Sequence, residues 1–283
     1  VENYGRIGAA DLELLVRKAL AFAQGDCTFA FQGGEPTLAG LGFYQELAAL
    51  QRRYNVNNCR IHNAIQTNGQ VIDGAWAEHF AREQFLVGLS IDGTKELHDS
   101  LRPAPDGHSA YTRAIRAAEL LKRAGAEFNV LCVVNGFVAR RAEQVYRAFA
   151  KQGFDYLQFI PCLDPLGAPP APHSLSPERY AHFLKTTFDL WYRDLMAGRR
   201  VSVRAFDNWV GMLMGLPPEA CDMGDYCSCQ FVVEADLSVY PCDFYVEEGW
   251  RIGNLREDDF PGMRYGERAD RFIAQSRERA PEC

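Results

Sequence analysis

Five times between residues 27 and 163, a short apolar, β-prone run ends on a polar or glycine-bearing tip, and a stretch of helical period stands between each run and the next. The runs lie at 27–31, 60–67 (RIHNAIQT), 85–92 (FLVGLSID), 127–135 (EFNVLCVVN) and 155–163 (DYLQFIPCL). Helical spacing of apolar residues over 41–53, 73–82, 110–124 and 140–152 separates them, and a further amphipathic helix over 10–23 precedes the first. The helix at 110–124 stops at Gly125, an expected C-cap, and the helix at 140–152 stops at Gly153. Strands that are apolar throughout must be covered on both faces, so the alternation predicts a parallel α/β sheet. With a helix ahead of the first visible strand, the pattern suits a barrel or partial barrel that has lost its first strand.

The tips are Gln32-Gly33-Gly34, Gln66-Thr67-Asn68-Gly69, Ser90-Ile91-Asp92-Gly93, Asn135-Gly136 and Pro161. In parallel α/β folds ligands sit at this end of the strands. The first tip is the most telling. Two adjacent glycines let the backbone approach a ligand with no Cβ in the way, and Pro36 fixes the turn that follows. Alone, Gln32 to Pro36 would pass for an ordinary strand-to-turn connection; four further polar tips weigh against that.

The 283 residues suffice for one large α/β domain or two smaller ones. Hydrophobic residues make up 47% and charged residues 24%, as in a globular protein, and the formal net charge of -7 argues against a nucleic-acid surface. No apolar run approaches the roughly 18 residues of a membrane span, and no signal-peptide pattern is present. The expectation is a cytoplasmic protein with neither nucleic-acid nor membrane partners. The sequence starts at Val1 and stops at Cys283, and both ends are read as cuts within a longer protein.

Of nine cysteines, Cys27, Cys59, Cys132 and Cys162 are scattered, and three of them fall in strand-like runs where a thiol is a small buried hydrophobe. A Pro-rich stretch at 164–177 marks a domain exit or a lid, and helices at 177–197 and 204–214 follow. From Cys221 onward the chain is turn-rich, with a hairpin-like FVVEADLSVYPC that turns near Ala235-Asp236. Such a module has too small a core to stand without a staple. Cys221, Cys227 and Cys242 are separated by five and then fourteen residues, and three thiolates gathered by a loop and a hairpin supply most of an iron–sulfur or zinc site. Clustered cysteines in a reducing compartment favour metal over disulfides. Cys229, in a C-x-C pair with Cys227, leaves a four-cysteine site open, and reduced structural thiols are the plainer alternative.

Taken in order, FQGGEPTLAG, IQTNG, VGLSIDGTKELHDSLRP, LQFIPCLDP and C-x5-C-x-C-QFVVEADLSVYPCDFYV resemble the anaerobic sulfatase-maturating enzymes. These are radical S-adenosylmethionine enzymes with a SPASM auxiliary-cluster domain, and the resemblance runs from about Tyr4 to Cys283. It implies a partial (β/α)6 TIM-like barrel over 1–163, connecting helices over 164–215, and a small cysteine-rich SPASM module with a β-hairpin over 216–283. By the same resemblance Gly33, Gly34 and Glu35 receive the amino end of S-adenosylmethionine, with Gln32 beside them against cofactor or peptide. Asn68 and Ser90 join the cofactor site, Ser90 at the cofactor carboxylate. Arg116 is the guanidinium partner of that carboxylate, Arg102 the other candidate, and Leu163 falls where the family packs the adenine.

Cys221, Cys227 and Cys242 match ligands of the first auxiliary cluster, which makes Cys229 a non-ligand, and Cys283 matches the first ligand of the second. Asp243 matches the family's general base, a role to set against that of a turn-forming aspartate in a hairpin. No three cysteines have the C-x3-C-x2-C spacing that holds the cluster for S-adenosylmethionine, so that motif is expected upstream of Val1. The implied cofactors are S-adenosylmethionine and three [4Fe-4S] clusters. The implied reaction is oxidation of a cysteine or serine in a C/S-x-P-x-R motif of a sulfatase to Cα-formylglycine, with flavodoxin or ferredoxin as electron donor. Another SPASM-type peptide maturase, for example one forming thioethers, is the nearest alternative. A non-catalytic iron–sulfur protein is the other, should the first cluster motif be lacking.

Overall fold

The computed structural model describes residues 4–164, 169–224 and 226–277. In chain order the elements are α1 (Ala9–Phe22), β1 (Asp26–Phe31), α2 (Leu41–Tyr54), β2 (Arg60–Thr67), α3 (Gly74–Arg82), β3 (Phe85–Ser90), α4 (Lys95–Leu101), α5 (Ala110–Ala124) and β4 (Phe128–Val134). Then come α6 (Gly136–Ala139), α7 (Ala142–Gln152), β5 (Tyr156–Pro161), α8 (Pro177–Met196), β6 (Ser202–Val203) and α9 (Arg204–Leu213). The chain closes with β7 (Val232–Val233), β8 (Ser238–Tyr240), β9 (Gly253–Asn254), α10 (Phe260–Arg264) and α11 (Glu267–Ser276).

The first six strands form one sheet in the order β1-β2-β3-β4-β5-β6, and every pair from β2 to β6 is parallel. This is the expected α/β architecture, an open sheet whose neighbours in sequence are neighbours in space. Val87, Leu89, Val130, Cys132, Val134 and Leu157 are buried in the strands, and Ala114, Ala117, Leu121, Val145 and Phe149 of α5 and α7 are buried as their cover. The helix ends follow their chemistry. Asp73, Thr94, Ser109 and Ser176 each accept a first-turn N–H, and Gly125 and Gly153 close α5 and α7 at φ of 73° and 65°. Three elements of this α/β part lie outside the pattern read from sequence: β6, whose two residues are too few to show a period, α4, a two-turn helix capped by Thr94, and α6, a single turn capped by Asn135.

Contacts divide the chain into two compact units, residues 1–29, 39–62 and 217–283 in one and 30–38 and 63–216 in the other. In the first unit the expected hairpin gains a third strand, giving an antiparallel sheet β7-β8-β9. Its core is Leu237, Val239, Ile252, Leu255, Phe260 and Met263. Leu14, Leu15, Ala19 and Phe22 of α1 pack against that core. Phe22 meets Phe260 and Phe231 with ring centroids 5.9 Å and 5.8 Å apart. Around this contact the Lys18 ammonium donates to the carbonyls of Leu255 (2.7 Å) and Asp258 (2.6 Å), and Arg256 pairs with Asp11 at 2.7 Å. α1 thus enlarges the core of a module too small to supply one by itself.

Of the scattered thiols, Cys59 and Cys132 are buried and Cys27 and Cys162 half-buried. Burial pushes the Cys27 thiol up to about 11, with Cys59 adding to the effect, so it is protonated at neutral pH.

Candidate functional site

The glycine tip after β1 is held by one carboxylate. Glu35 Oε1 accepts hydrogen bonds from the Thr37 hydroxyl (2.6 Å), the Thr37 N–H (3.1 Å) and the Thr67 hydroxyl (2.7 Å). Its Oε2 accepts the Asn68 N–H at 2.8 Å. Glu35 thus ties the turn after β1 to the tip of β2, and the Asn68 side chain in turn accepts the Gln70 N–H at 2.9 Å. Gly33 and Gly34 adopt φ of 80° and 50°, a region that favours glycine, and a Cβ built on either would meet nothing within 4 Å. The backbone at this tip faces open space. Gln32 is exposed beside it. A carboxylate already shared among four donors is a clamp, and that leaves the loop's own carbonyls to meet a ligand's ammonium.

At the tips of β3 and β4 lies a cavity of about 380 Å³ lined by polar residues including Asp92, Ser100, Arg102, Asn135 and His173. Asp92 is buried to 3% exposure. Its Oδ2 accepts from Arg102 Nε at 2.6 Å, while Oδ1 accepts from Arg102 Nη2 at 3.5 Å and from the Val133 N–H at 2.9 Å. The Asp92 N–H donates to His98 Nδ1 at 3.0 Å. Burial lowers the pKa of His98, in keeping with the neutral ring that this acceptor role demands. Asn135 Oδ1 caps α6 through the N–H groups of Phe137 and Val138, each at 3.0 Å. The Gly136 N–H donates to the His173 carbonyl at 2.8 Å, which seats the 171–174 turn at the cavity wall.

Ser90 ends β3 two residues before Asp92 and is half-buried. Arg116 is exposed on α5 and is not among the cavity's lining residues, whereas Arg102 is. Leu163 follows β5 and is 69% exposed. The structure gathers Glu35 and Asn68 at one tip, and it places Arg102, which the sequence offers as the second candidate, at the cavity. Sequence reasoning assigned no role to Thr67 or Asp92, although both stand in the polar tips, and it missed His98 and His173 altogether. A histidine six residues after a strand-end aspartate, on the following helix, is the signal that was available for His98.

In the cysteine-bearing module Cys221 is exposed and Cys227 and Cys242 are half-buried; Cys283 lies outside the described residues. The Cys227 N–H donates to the Ser276 hydroxyl at 2.9 Å, and the Cys242 thiol donates to Asp243 Oδ1 at 3.4 Å. Burial pushes the Cys242 thiol up to about 11, with Asp243 and Cys221 contributing. Among the described residues no three His, Cys, Asp or Glu side chains stand close enough to share a metal ion. Asp243 is exposed at the head of a one-turn 3-10 helix, Asp243–Tyr245. Tyr245 anchors that turn against Trp250 and Phe272, with ring centroids 5.4 Å and 5.3 Å away.

A parallel sheet with glycine-bearing and polar strand tips, in a chain that also carries a cysteine-rich module, defines a class of protein. Residues 2–159 match the radical SAM superfamily, and residues 221–283 match an iron–sulfur cluster-binding domain, SPASM. The chain is 45% identical over 285 residues to the cysteine-type anaerobic sulfatase-maturating enzyme of Clostridium perfringens (strain 13), covering 100% of this chain and 77% of that protein. It is 32% identical over 261 residues to the serine-type enzyme of Bacteroides thetaiotaomicron, covering 86% of this chain and 62% of the relative. A solved structure described as native anSMEcpe with bound AdoMet and Kp18Cys peptide superposes with a TM-score of 0.96 at 45% identity, covering 100% of this chain and 78% of that one. The chain belongs to the anaerobic sulfatase-maturating enzymes of the radical SAM superfamily. Enzymes of this class are oxidoreductases that carry [4Fe-4S] clusters and use S-adenosylmethionine.

Proposed function

We propose that this chain binds S-adenosylmethionine at the tips of β1 to β5 and oxidises the target cysteine of a sulfatase peptide to Cα-formylglycine. The observation that carries the reading is the Glu35 clamp, which holds two positive-φ glycines open at a strand tip. Bound with a reduced cluster, S-adenosylmethionine supplies a carbon radical able to take a hydrogen atom. The residues of the chain bind and orient. Carbonyls of Gly33 and Gly34 accept the ammonium N–H groups, with Gln32 and Asn68 flanking them. The Ser90 hydroxyl and a guanidinium meet the carboxylate, and Leu163 offers apolar surface to the adenine. For the guanidinium Arg102 is favoured over Arg116, because Arg102 is fixed by Asp92 and lines the cavity at the tips of β3 and β4.

Asp243 is the group proposed to take the proton from the substrate side chain as oxidation proceeds. Cys221, Cys227 and Cys242 are assigned to one auxiliary cluster and Cys283 to another; no step is derived through them. The cysteine-type relative at 45% identity, against 32% for the serine-type, favours a cysteine substrate. Flavodoxin or ferredoxin as electron donor, the cytoplasm as location, and division into a barrel over 1–163, connecting helices over 164–215 and a cluster module over 216–283 complete the proposal.

The test is anaerobic turnover of a short C-x-P-x-R peptide by the cluster-loaded enzyme, followed by mass spectrometry. Conversion of the cysteine to the aldehyde is expected, and crosslinking without aldehyde would sink the reading. An Asp243→Asn variant should bind S-adenosylmethionine normally and form no formylglycine; full turnover by that variant would remove Asp243 from the role of base.

A further inference from the structure

Asp92 is an aspartate at 3% exposure, placed between a guanidinium, a strand N–H and a histidine. A buried carboxylate is retained at a cost in desolvation, so the groups that satisfy it indicate what it is for. Three of its contacts are rigid. Val133 N–H belongs to β4, the Asp92 backbone is pinned by His98 Nδ1 from α4, and the carboxylate lies side-on to Arg102, using Nε and Nη2. A guanidinium has five N–H groups, and side-on pairing uses two of them. The three that remain, both on Nη1 and one on Nη2, form the end-on fork that matches a second carboxylate. Arg102 is part of the cavity wall, so that fork is available to a ligand there.

We propose that Asp92 is a positioning residue for S-adenosylmethionine: it engages one edge of the Arg102 guanidinium and leaves the other edge preset for the cofactor's carboxylate, with His98 locking the Asp92 backbone in register. This rests on the reading of Arg102 as the carboxylate partner. It differs from a purely structural role, in which Asp92 would only tie β4 to the tip of β3. In that case its loss would weaken every ligand alike.

The measurement is the dissociation constant of S-adenosylmethionine and of decarboxylated S-adenosylmethionine, taken by equilibrium dialysis on the anaerobic, cluster-loaded enzyme without turnover. Wild type should prefer the carboxylate-bearing ligand by about tenfold or more, as expected for a charge-assisted bidentate pair. Arg102→Met should abolish the preference. In Asp92→Asn the preference should fall to about threefold or less, while decarboxylated ligand binds as it does to wild type. Adding Asp92→Asn to Arg102→Met should change nothing further, since the aspartate acts through the arginine.

A wild type that binds both ligands equally overturns the Arg102 reading and this inference with it. A preference lost in Arg102→Met but kept in Asp92→Asn overturns this inference alone, as does an equal loss of affinity for both ligands in Asp92→Asn. Should Asp92→Asn fail to fold, Asp92→Glu keeps the charge and displaces the pairing edge by one methylene. A wild-type preference in Asp92→Glu would overturn the proposal, and a reduced preference with unchanged affinity for the decarboxylated ligand would support it.

Discussion

Glu35 shows how a residue can be legible in a sequence while its task is not. Its place after two glycines marks it as part of a ligand loop, and a carboxylate there invites a direct contact with a ligand's ammonium. Its four donors come from Thr37, Thr67 and Asn68, and the latter two lie 32 and 33 positions away, a proximity that only the pairing of β1 with β2 creates. A glutamine at this site presents one oxygen in place of two, so one of those donors would face an amide NH2. Because Glu35 is half-buried, Glu35→Gln should cost about 1 kcal/mol, the low end of the penalty for an unsatisfied group, measured by denaturant unfolding. The same variant should weaken S-adenosylmethionine binding through a loosened Gly33-Gly34 backbone. Thr67→Ser, which keeps the hydroxyl, should stay close to wild type, and Thr67→Val should lose about 1 kcal/mol. If Glu35→Gln were as stable as wild type yet lost cofactor binding, the carboxylate would be a direct ligand instead of a clamp. Asp92 and Arg102 follow the same pattern: the sequence puts both at one end of the sheet, and the fold decides that they pair.

At the scale of elements, the sequence is readable where burial imposes a period and silent where it does not. β3 and β4 announce themselves because most of their residues are buried, and β2 and β5 because buried positions recur along them; β2 and β3 also stop on polar tips. β6 has two residues, and β9 begins on a glycine, so neither could be heard above its surroundings. The turn at 171–174 was legible only as proline-rich. What fixes it is Gly136, whose N–H donates to the His173 carbonyl and whose missing side chain makes room for the turn. A Cβ on Gly136 would stand 2.5 Å from the Ser174 carbonyl oxygen, well inside contact. Backbone cannot yield as a flexible side chain does, so Gly136→Ala should cost about 1–3 kcal/mol and push the turn off the cavity wall. Hydrogen exchange of the 171–176 amides should rise while β4 and β5 stay protected. Unchanged exchange would show that the turn has another seat.

At the scale of the molecule, the most consequential contact is also the least legible one, since Lys18 and Asp258 are 240 positions apart and no local pattern joins them. The module after Cys221 was expected to need a staple, and the fold supplies α1, whose Leu14, Leu15, Ala19 and Phe22 complete the core around Phe260 and Met263. α1 and the segment from Leu237 to Met263 thus share a single core in sequence-discontinuous form. Phe260 is 4% exposed and touches Phe22 and Phe231, so Phe260→Ala should cost about 3–5 kcal/mol in denaturant unfolding. Ending the chain after Leu216 tests the same core from the other side. The truncated protein would keep α1 but remove all six buried residues against which its Leu14, Leu15, Ala19 and Phe22 pack, leaving a contiguous apolar stripe in water. Were the N-terminal helix and the C-terminal module independent, the shortened chain would remain soluble and its α1 amides would exchange as slowly as in the full chain. With a shared core it should aggregate or show fast exchange across 9–22. Leu14→Lys together with Phe22→Ser should restore solubility to the truncated chain while destabilising the full-length one, because the same two side chains are a liability in the first and core in the second.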